Sequence, residues 1–345
     1  MAEEKKDRIS KYLKEINHEM LFDELSLDFM KKSGIEDLLK DVPVPVAIDS
    51  EGLSNVSIAL GMARIIGADN NFKYAKQYLE YIKRTLGDVA TRVLITEAVK
   101  CANEKDFEIA CMYLRTVLLM DPKSVDALYL YARACQDAYQ VEEDDEEYIG
   151  NFKAESLELF ELLTIMHPEF SMGFYYLGYA YLNLGLYTKA KLTWDEFMRL
   201  TNDGKKAMTT DKTLEADALA DFRLDIAIQL DNLKEPINIE AGCNAVLTGN
   251  YLKAKELLEP YKDGNYAEWW PLWYYLAGAY SGLEDAEKAI DCFKIALRLS
   301  PSNIEVMSEL VELYKVLGDE ENVTKYQNKI EIIKNNIEEE KNSLT

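Results

Sequence analysis

Between Phe174 and Phe197 the chain reads FYYLGYAYLNLGLYTKAKLTWDEF, and its apolar residues do not alternate as a strand's would. Leu177-Gly178, Tyr181, Gly185, Tyr187, Ala190, Trp194 and Phe197 fall at intervals that place them along the touching faces of two short antiparallel helices. The same intervals return in WYYLAGAYSGLEDAEKAIDCFKIALRLSP, from Trp273 to Pro301, at Leu276-Ala277, Tyr280, Ala289, Phe293, Ala296 and Pro301. Gly178, Ala190, Ala277 and Ala289 are small enough for helices to cross closely, and Tyr181, Trp194, Tyr280 and Phe293 fill the space beside them. Proline then blocks continuation of the second helix.

These two copies resemble the tetratricopeptide repeat, a helix pair of about 34 residues with the pattern W-x2-L-G-x2-Y, A-x3-F and a closing P. Five weaker copies fall in phase with them. Their markers are Ala63, Phe72, Ala75, Leu79 and Ile82, then Ala98, Phe107, Ala110, Leu114, Val117 and Pro122. The third copy has Leu128, Ala132 and Cys135, resuming at Phe160, Leu163 and Pro168. The fifth has Gly242, Gly249, Tyr251, Ala254 and Leu258, and a degenerate seventh has Leu310, Tyr314, Gly318, Val323 and Ile330. One helix pair cannot bury its apolar face alone, so stacked neighbours share a continuous core. The resemblance therefore implies an all-α, right-handed superhelical solenoid of about seven stacked antiparallel helix pairs.

The remaining segments set the organisation. Residues 1–55 are expected to be a helical cap, in which Ile9, Tyr12, Leu13 and Ile16 form one stripe and Leu21-Phe22, Leu25, Leu27 and Phe29-Met30 follow. Within this leader DVPVPVAID (41–49) must be extended. Residues 56–204 are read as a first stack of four repeats, 205–234 as a helical connector, 235–337 as a second stack of three, and 338–345 as a charged tail. VEEDDEEYIG (141–150) is expected to lengthen the third hairpin into an acidic protrusion, either a solvated loop or a docking site for a basic partner. In the connector, Thr210 or Asp211 can cap a helix running to about Asn232, with Leu214, Ala218, Phe222, Ile226 and Leu230 packing on the stack.

Composition narrows the function. The 345 residues carry 39 basic and 62 acidic side chains, a net charge of −23. Such a balance disfavours nucleic acid and anionic lipid as partners, since both need clustered Lys and Arg. No stretch approaches a membrane span or a signal-peptide core, and the expected location is cytoplasmic. The five cysteines, Cys101, Cys111, Cys135, Cys243 and Cys292, never form a C-x-x-C pair and read as small apolar packers. His18 and His167 are the two histidines, the latter before Pro168 at a helix end. No phosphate loop, H-E-x-x-H or G-x-S-x-G motif occurs, so catalytic residues, metal and cofactor are all expected to be absent.

The resemblance implies instead a groove lined by each repeat's first helix. Its positions carry Arg64, Arg92, Arg133, Asn103 and Gln136 in the N-terminal half, and Met172, Tyr175, Tyr179 and Asn183 in the fourth repeat. The sixth carries Tyr274, with Tyr275 and Trp270 beside it, and the seventh Glu305 and Glu312. Three groove arginines in so acidic a chain suit a carboxylate, whether of an acidic partner peptide, a C-terminus or the chain's own Glu and Asp. Tyr181 and Tyr280 read as core, while Tyr175, Tyr179 and Tyr274 read as groove contacts. The family's chaperone-tail clamp pattern is not met, because Leu60, Arg64 and Thr96 stand at its positions.

The expected function is a non-enzymatic adaptor that holds a peptide or helical segment of a partner protein. The alternative is a regulator whose solenoid changes conformation on binding a peptide. Unprotected repeat ends leave homo-oligomerisation open.

Overall fold

A computed structural model describes residues 7–17, 20–46, 54–142, 144–202 and 216–343. His18, Thr210, Asp211 and Leu214 lie outside the described residues. The chain divides into two compact units, residues 1–227 and 228–345.

In the first unit four helix pairs follow a short leader. They are α4 (Asn55–Ala68) with α5 (Ala75–Leu86), α6 (Ala90–Asn103) with α7 (Phe107–Met120), α8 (Val125–Val141) with α9 (Glu146–Met166), and α10 (Ser171–Leu182) with α11 (Tyr187–Leu200). Pro122 and Pro168 follow the ends of α7 and α9, where a ring without an N–H cannot continue a helix. The α10–α11 pair is built as the spacing expects: Ala190, Trp194 and Phe197 are fully buried. A Cβ on Gly178 would stand 2.1 Å from Trp194 Nε1, so only glycine lets the indole cross there. That indole N–H donates to the Tyr175 carbonyl at 3.0 Å.

The leader is only partly helical. It contains α1 (Ser10–Ile16), α2 (Leu27–Ser33) and α3 (Glu36–Leu39), together with two strands, β1 (Leu21–Asp23) and β2 (Val44–Val46). The strands pair antiparallel, Phe22 opposite Pro45. The extended Val44-Pro45-Val46 segment was legible from its prolines, but Leu21-Phe22 belongs to a strand and corrects the expected helical layer. Ile9 at the N-cap of α1 and Leu13 within it are fully buried, and the Ser10 hydroxyl donates to the Ala68 carbonyl at the end of α4. Lys14 pairs with Asp69 at 2.7 Å, and the buried Arg115 of α7 pairs with Asp7.

The acidic insertion lengthens the third hairpin largely as extra helical turns, giving α8 17 residues and α9 21. Asp145 caps α9 by accepting from the Tyr148 N–H at 2.9 Å. Tyr148 and Phe152 then receive the Tyr12 ring of α1, at centroid distances of 5.0 and 5.8 Å. Lys11 pairs with Glu147 at 2.6 Å. Tyr148 inside the acidic run, with Phe152 just after it, was the sequence signal that it packs.

The first pair departs from simple stacking, because α4 packs extensively on α7. Ala59, Ala63 and Gly67 recur every four residues and are buried. This stripe of small side chains lets two backbones approach. Thr116 Oγ1 donates to the Ala63 carbonyl at 2.7 Å.

The connector helix α12 (Ala216–Asn232) crosses the division between the units. The second unit holds α13 (Lys234–Leu247) with α14 (Tyr251–Leu258), α15 (Trp270–Gly282) with α16 (Ala286–Leu299), and α17 (Ile304–Leu317) with α18 (Glu320–Ser343). Pro271 opens α15, where its missing N–H costs nothing, and Pro301 follows α16. Leu276, Tyr280, Phe293, Leu310, Tyr314 and Tyr326 form one core across the last two pairs.

A Cβ on Gly67 would meet the Met112 carbonyl oxygen at 1.9 Å, a backbone atom that cannot rotate aside. Gly67→Ala should therefore destabilise the fold by about 1–3 kcal/mol. Gly150→Ala, mid-helix in α9 with open space around it, should instead be neutral or stabilising by about 0.5–1 kcal/mol. Urea denaturation followed by circular dichroism checks both, and equal midpoints for the two variants contradict the packing account.

Candidate functional site

The first helices of pairs two and three, α6 and α8, leave a cavity of about 170 Å³ between them. Asn103 enters it from α6, and Arg133 and Asp137, one turn apart, enter it from α8. Ala98, Val99 and Leu130 supply apolar wall. Arg133 stands 3.7 Å from the Asp137 carboxylate, with 30% of its side chain exposed. Its guanidinium lies 4.1 Å from the centre of the Tyr176 ring, a cation–π contact. Its buried Nε has no hydrogen-bond partner. Burial pushes the Asp137 carboxyl above its usual range, against the opposing pull of Arg133.

One turn on, Gln136 is buried and its Oε1 has no hydrogen-bond partner. Burial pushes the Tyr139 hydroxyl up from its ordinary pKa, opposed by the polar side chains of Asn183 and Gln136. The Asn183 carbonyl accepts from Lys153 Nζ at 2.9 Å.

Of the three arginines, Arg133 is the one that lines the α6–α8 cavity. The Arg64 charge opposes the upward push of burial on Tyr113 of α7 and Cys101 of α6, and its buried Nε has no hydrogen-bond partner. Arg92 is exposed near the start of α6, where its carbonyl accepts from Thr96 Oγ1 at 2.9 Å.

In the fourth pair Tyr175 and Tyr179 are half-buried and engaged by the chain itself. Both hydroxyls donate to Asp225 of the connector helix, Tyr175 at 2.8 Å. Phe222 packs edge-on to the Tyr175 ring at 4.9 Å. Arg223 anchors the same helix by donating to Thr201 Oγ1 at 2.7 Å and to the Met198 carbonyl at 2.9 Å. Burial, reinforced by the bond to Asp225, pushes the Tyr175 hydroxyl upward from its ordinary pKa. Met172 is core, 2% exposed. Phe222 was legible as a packing position, but neither Asp225 nor its tyrosine partners could be paired from local spacing.

In the second unit Tyr274 donates to Glu305 at 3.1 Å and packs edge-on to Trp270 and Tyr275, at centroid distances of 6.1 and 5.4 Å. Tyr176, Tyr139 and Asp137 are contributors that the groove positions did not include; the four-residue spacing of Arg133 and Asp137 was the available signal.

Among the described residues, no three His, Cys, Asp or Glu side chains gather as a metal-holding group, and no helix is long and apolar enough to cross a membrane. Cys111 and Cys135 are buried with sulfurs 3.8 Å apart. Burial pushes the Cys101, Cys243 and Cys292 thiols up to about 11. His167 ends α9, its ring Nε2 3.0 Å from the Lys123 carbonyl.

Residues 271–303 match the family model described as tetratricopeptide repeat. A comparison with curated proteins found no match. Similar solved structures include MamA (residues 41 to the end) from Desulfovibrio magneticus RS-1, at 16% identity over 59% of this chain and 96% of that one, TM-score 0.32. A tetratricopeptide repeat protein from Parabacteroides merdae is 13% identical over 81% of this chain and 93% of its own, TM-score 0.32. PilF of Pseudomonas aeruginosa is 15% identical over 71% and 92%, TM-score 0.32.

Thiols raised to about 11 are protonated, and poor nucleophiles, at neutral pH. Native protein at pH 8 should therefore react with a thiol reagent far more slowly than urea-unfolded protein. The unfolded chain's thiols ionise near about 8.5. Above that pH the unfolded state holds fewer protons than the folded one, so the thiols' contribution to stability is full below it and is lost as pH rises toward 11. Thermal unfolding at pH 8 and 10.5 checks the sign; a midpoint that rises with pH contradicts it.

Proposed function

We propose that this chain, a tetratricopeptide-repeat protein, is a non-enzymatic cytoplasmic scaffold that holds a segment of a partner protein on the face between α6 and α8. The observation that carries this reading is the cavity into which successive helix pairs bring Asn103 and Arg133. An acidic side chain or a C-terminal carboxylate is the ligand chemistry that suits it. The guanidinium offers a planar fork of donors, and Asp137 at 3.7 Å is an ion-pair neighbour farther away than a hydrogen bond reaches. A ligand carboxylate takes up those donors, the Asn103 amide holds ligand backbone, and Ala98, Val99 and Leu130 receive an apolar side chain.

One observation favours a second reading, a peptide-responsive regulator. Asp225 already presents a carboxylate to Tyr175 and Tyr179, so a competing acidic segment would free the connector helix. Faster amide exchange in residues 216–232 on peptide binding supports that reading, and unchanged exchange there refutes it.

Anisotropy of a labelled acidic peptide with a free C-terminus tests the scaffold reading. A hydrogen bond to a charged group contributes about 1.5–3 kcal/mol, so Arg133→Ala with Asn103→Ala should weaken binding about 10- to 100-fold. Arg199→Ala, which removes an arginine paired with Glu196 on α11, should leave affinity unchanged. Wild-type affinity in the Arg133/Asn103 variant overturns the proposal.

A further inference from the structure

In the second unit the C-terminal turns of α15 and α17 stand apart over α16 and leave a groove of about 530 Å³. Phe293 and Leu313 form its floor. Val316 and Leu317 form a wall that is 84% and 51% exposed, two branched apolar side chains presented to water at a helix end. The rim is acidic: Glu284 comes from the turn after α15, and Glu309 and Glu312 from α17. Glu312 has one cationic neighbour, Lys315 at 2.7 Å on its own helix. Among the described residues Glu309 makes no ion pair, while Glu305 lies one turn before it and Glu312 nearly one turn after it. The protein packed around Glu309, together with the like charge of Glu305 and Glu312, holds its carboxyl above the usual range.

We propose that this groove docks a basic amphipathic segment of a partner protein, with Lys or Arg on Glu309 and Glu312 and an apolar side chain against Phe293, Leu313 and Val316. Charge complementarity selects this occupant. A second copy of the chain would bring another net charge of −23 to a rim already crowded with carboxylates. The carboxylate ligand proposed for the first unit would meet the same repulsion. A cation relieves it, because it supplies the counter-charge Glu309 lacks, and the exposed valine and leucine reward an apolar flank. The two units thereby take ligands of opposite charge.

Anisotropy of a labelled Lys/Leu amphipathic peptide with the full chain tests this. Wild type should bind with an affinity that falls as salt rises, and a Lys/Ser peptide of equal charge should bind at least about tenfold more weakly. Glu309→Gln with Glu312→Gln, and separately Val316→Asp, should each reduce affinity about tenfold. Glu320→Gln with Glu321→Gln, an equal charge change at the start of α18, should have little effect. Arg133→Ala should leave the Lys/Leu peptide unaffected, so this site and the α6–α8 site can fail independently. Equal binding of the Lys/Leu and Lys/Ser peptides, wild-type affinity in the Glu309/Glu312 variant, or a dimer abolished by Val316→Asp overturns the proposal.

Discussion

A hairpin of two short helices carries more apolar surface than it can bury by itself, and each stack of such hairpins has ends that must be closed. Much of what is irregular in this protein answers that constraint. In the first unit, α4 lays its Ala59–Ala63–Gly67 stripe on α7, and α1 fills the adjoining space with Ile9 and Leu13. The lengthened α9 supplies Tyr148 and Phe152 as a seat for α1. At the other end of that unit, Phe222 and Asp225 cover Tyr175 and Tyr179. In the second unit α18 closes the core through Val323 and Tyr326, the latter stacked on Tyr314. The open faces left over are where binding can occur.

What was legible in the sequence was whatever a single hairpin determines. The spacing of Leu177, Gly178, Ala190 and Trp194 specifies both helices of the fourth pair and the contact between them, because those residues touch one another. The stripe on α4 has the same local character, but nothing in its spacing says that α7 is its partner. That choice depends on contacts with α1 and between backbones far apart in the chain. Likewise Val44–Val46 declared itself extended through Pro45, whereas its partner Leu21–Asp23 is three residues long and carries no strand signal. Asn103 and Arg133 were named from repeat positions and line the α6–α8 cavity, while Asp137 and Tyr176, which set the character of Arg133, were not named.

The net charge of −23 describes neither of the two proposed binding faces. Arg115 is buried against Asp7, so the protein neutralises that cation locally, whereas Arg133 lies against an aromatic ring with Asp137 only at 3.7 Å. On α17 the opposite holds, with Glu305, Glu309 and Glu312 against the single lysine Lys315. An acidic chain can thus present one face fit for carboxylates and another fit for cations. Local pairing, more than total charge, decides which groups are left to meet a partner.

On the proposed reading, successive helix pairs act together as a peptide-holding face. Hydrogen–deuterium exchange of the full chain, with and without an acidic peptide bearing a free C-terminal carboxylate, addresses it most directly. Exchange should slow in α6 and α8, residues 90–103 and 125–141, with α18 unchanged. Exchange unaltered in α6 and α8, or protection confined to the leader or to α18, would contradict it.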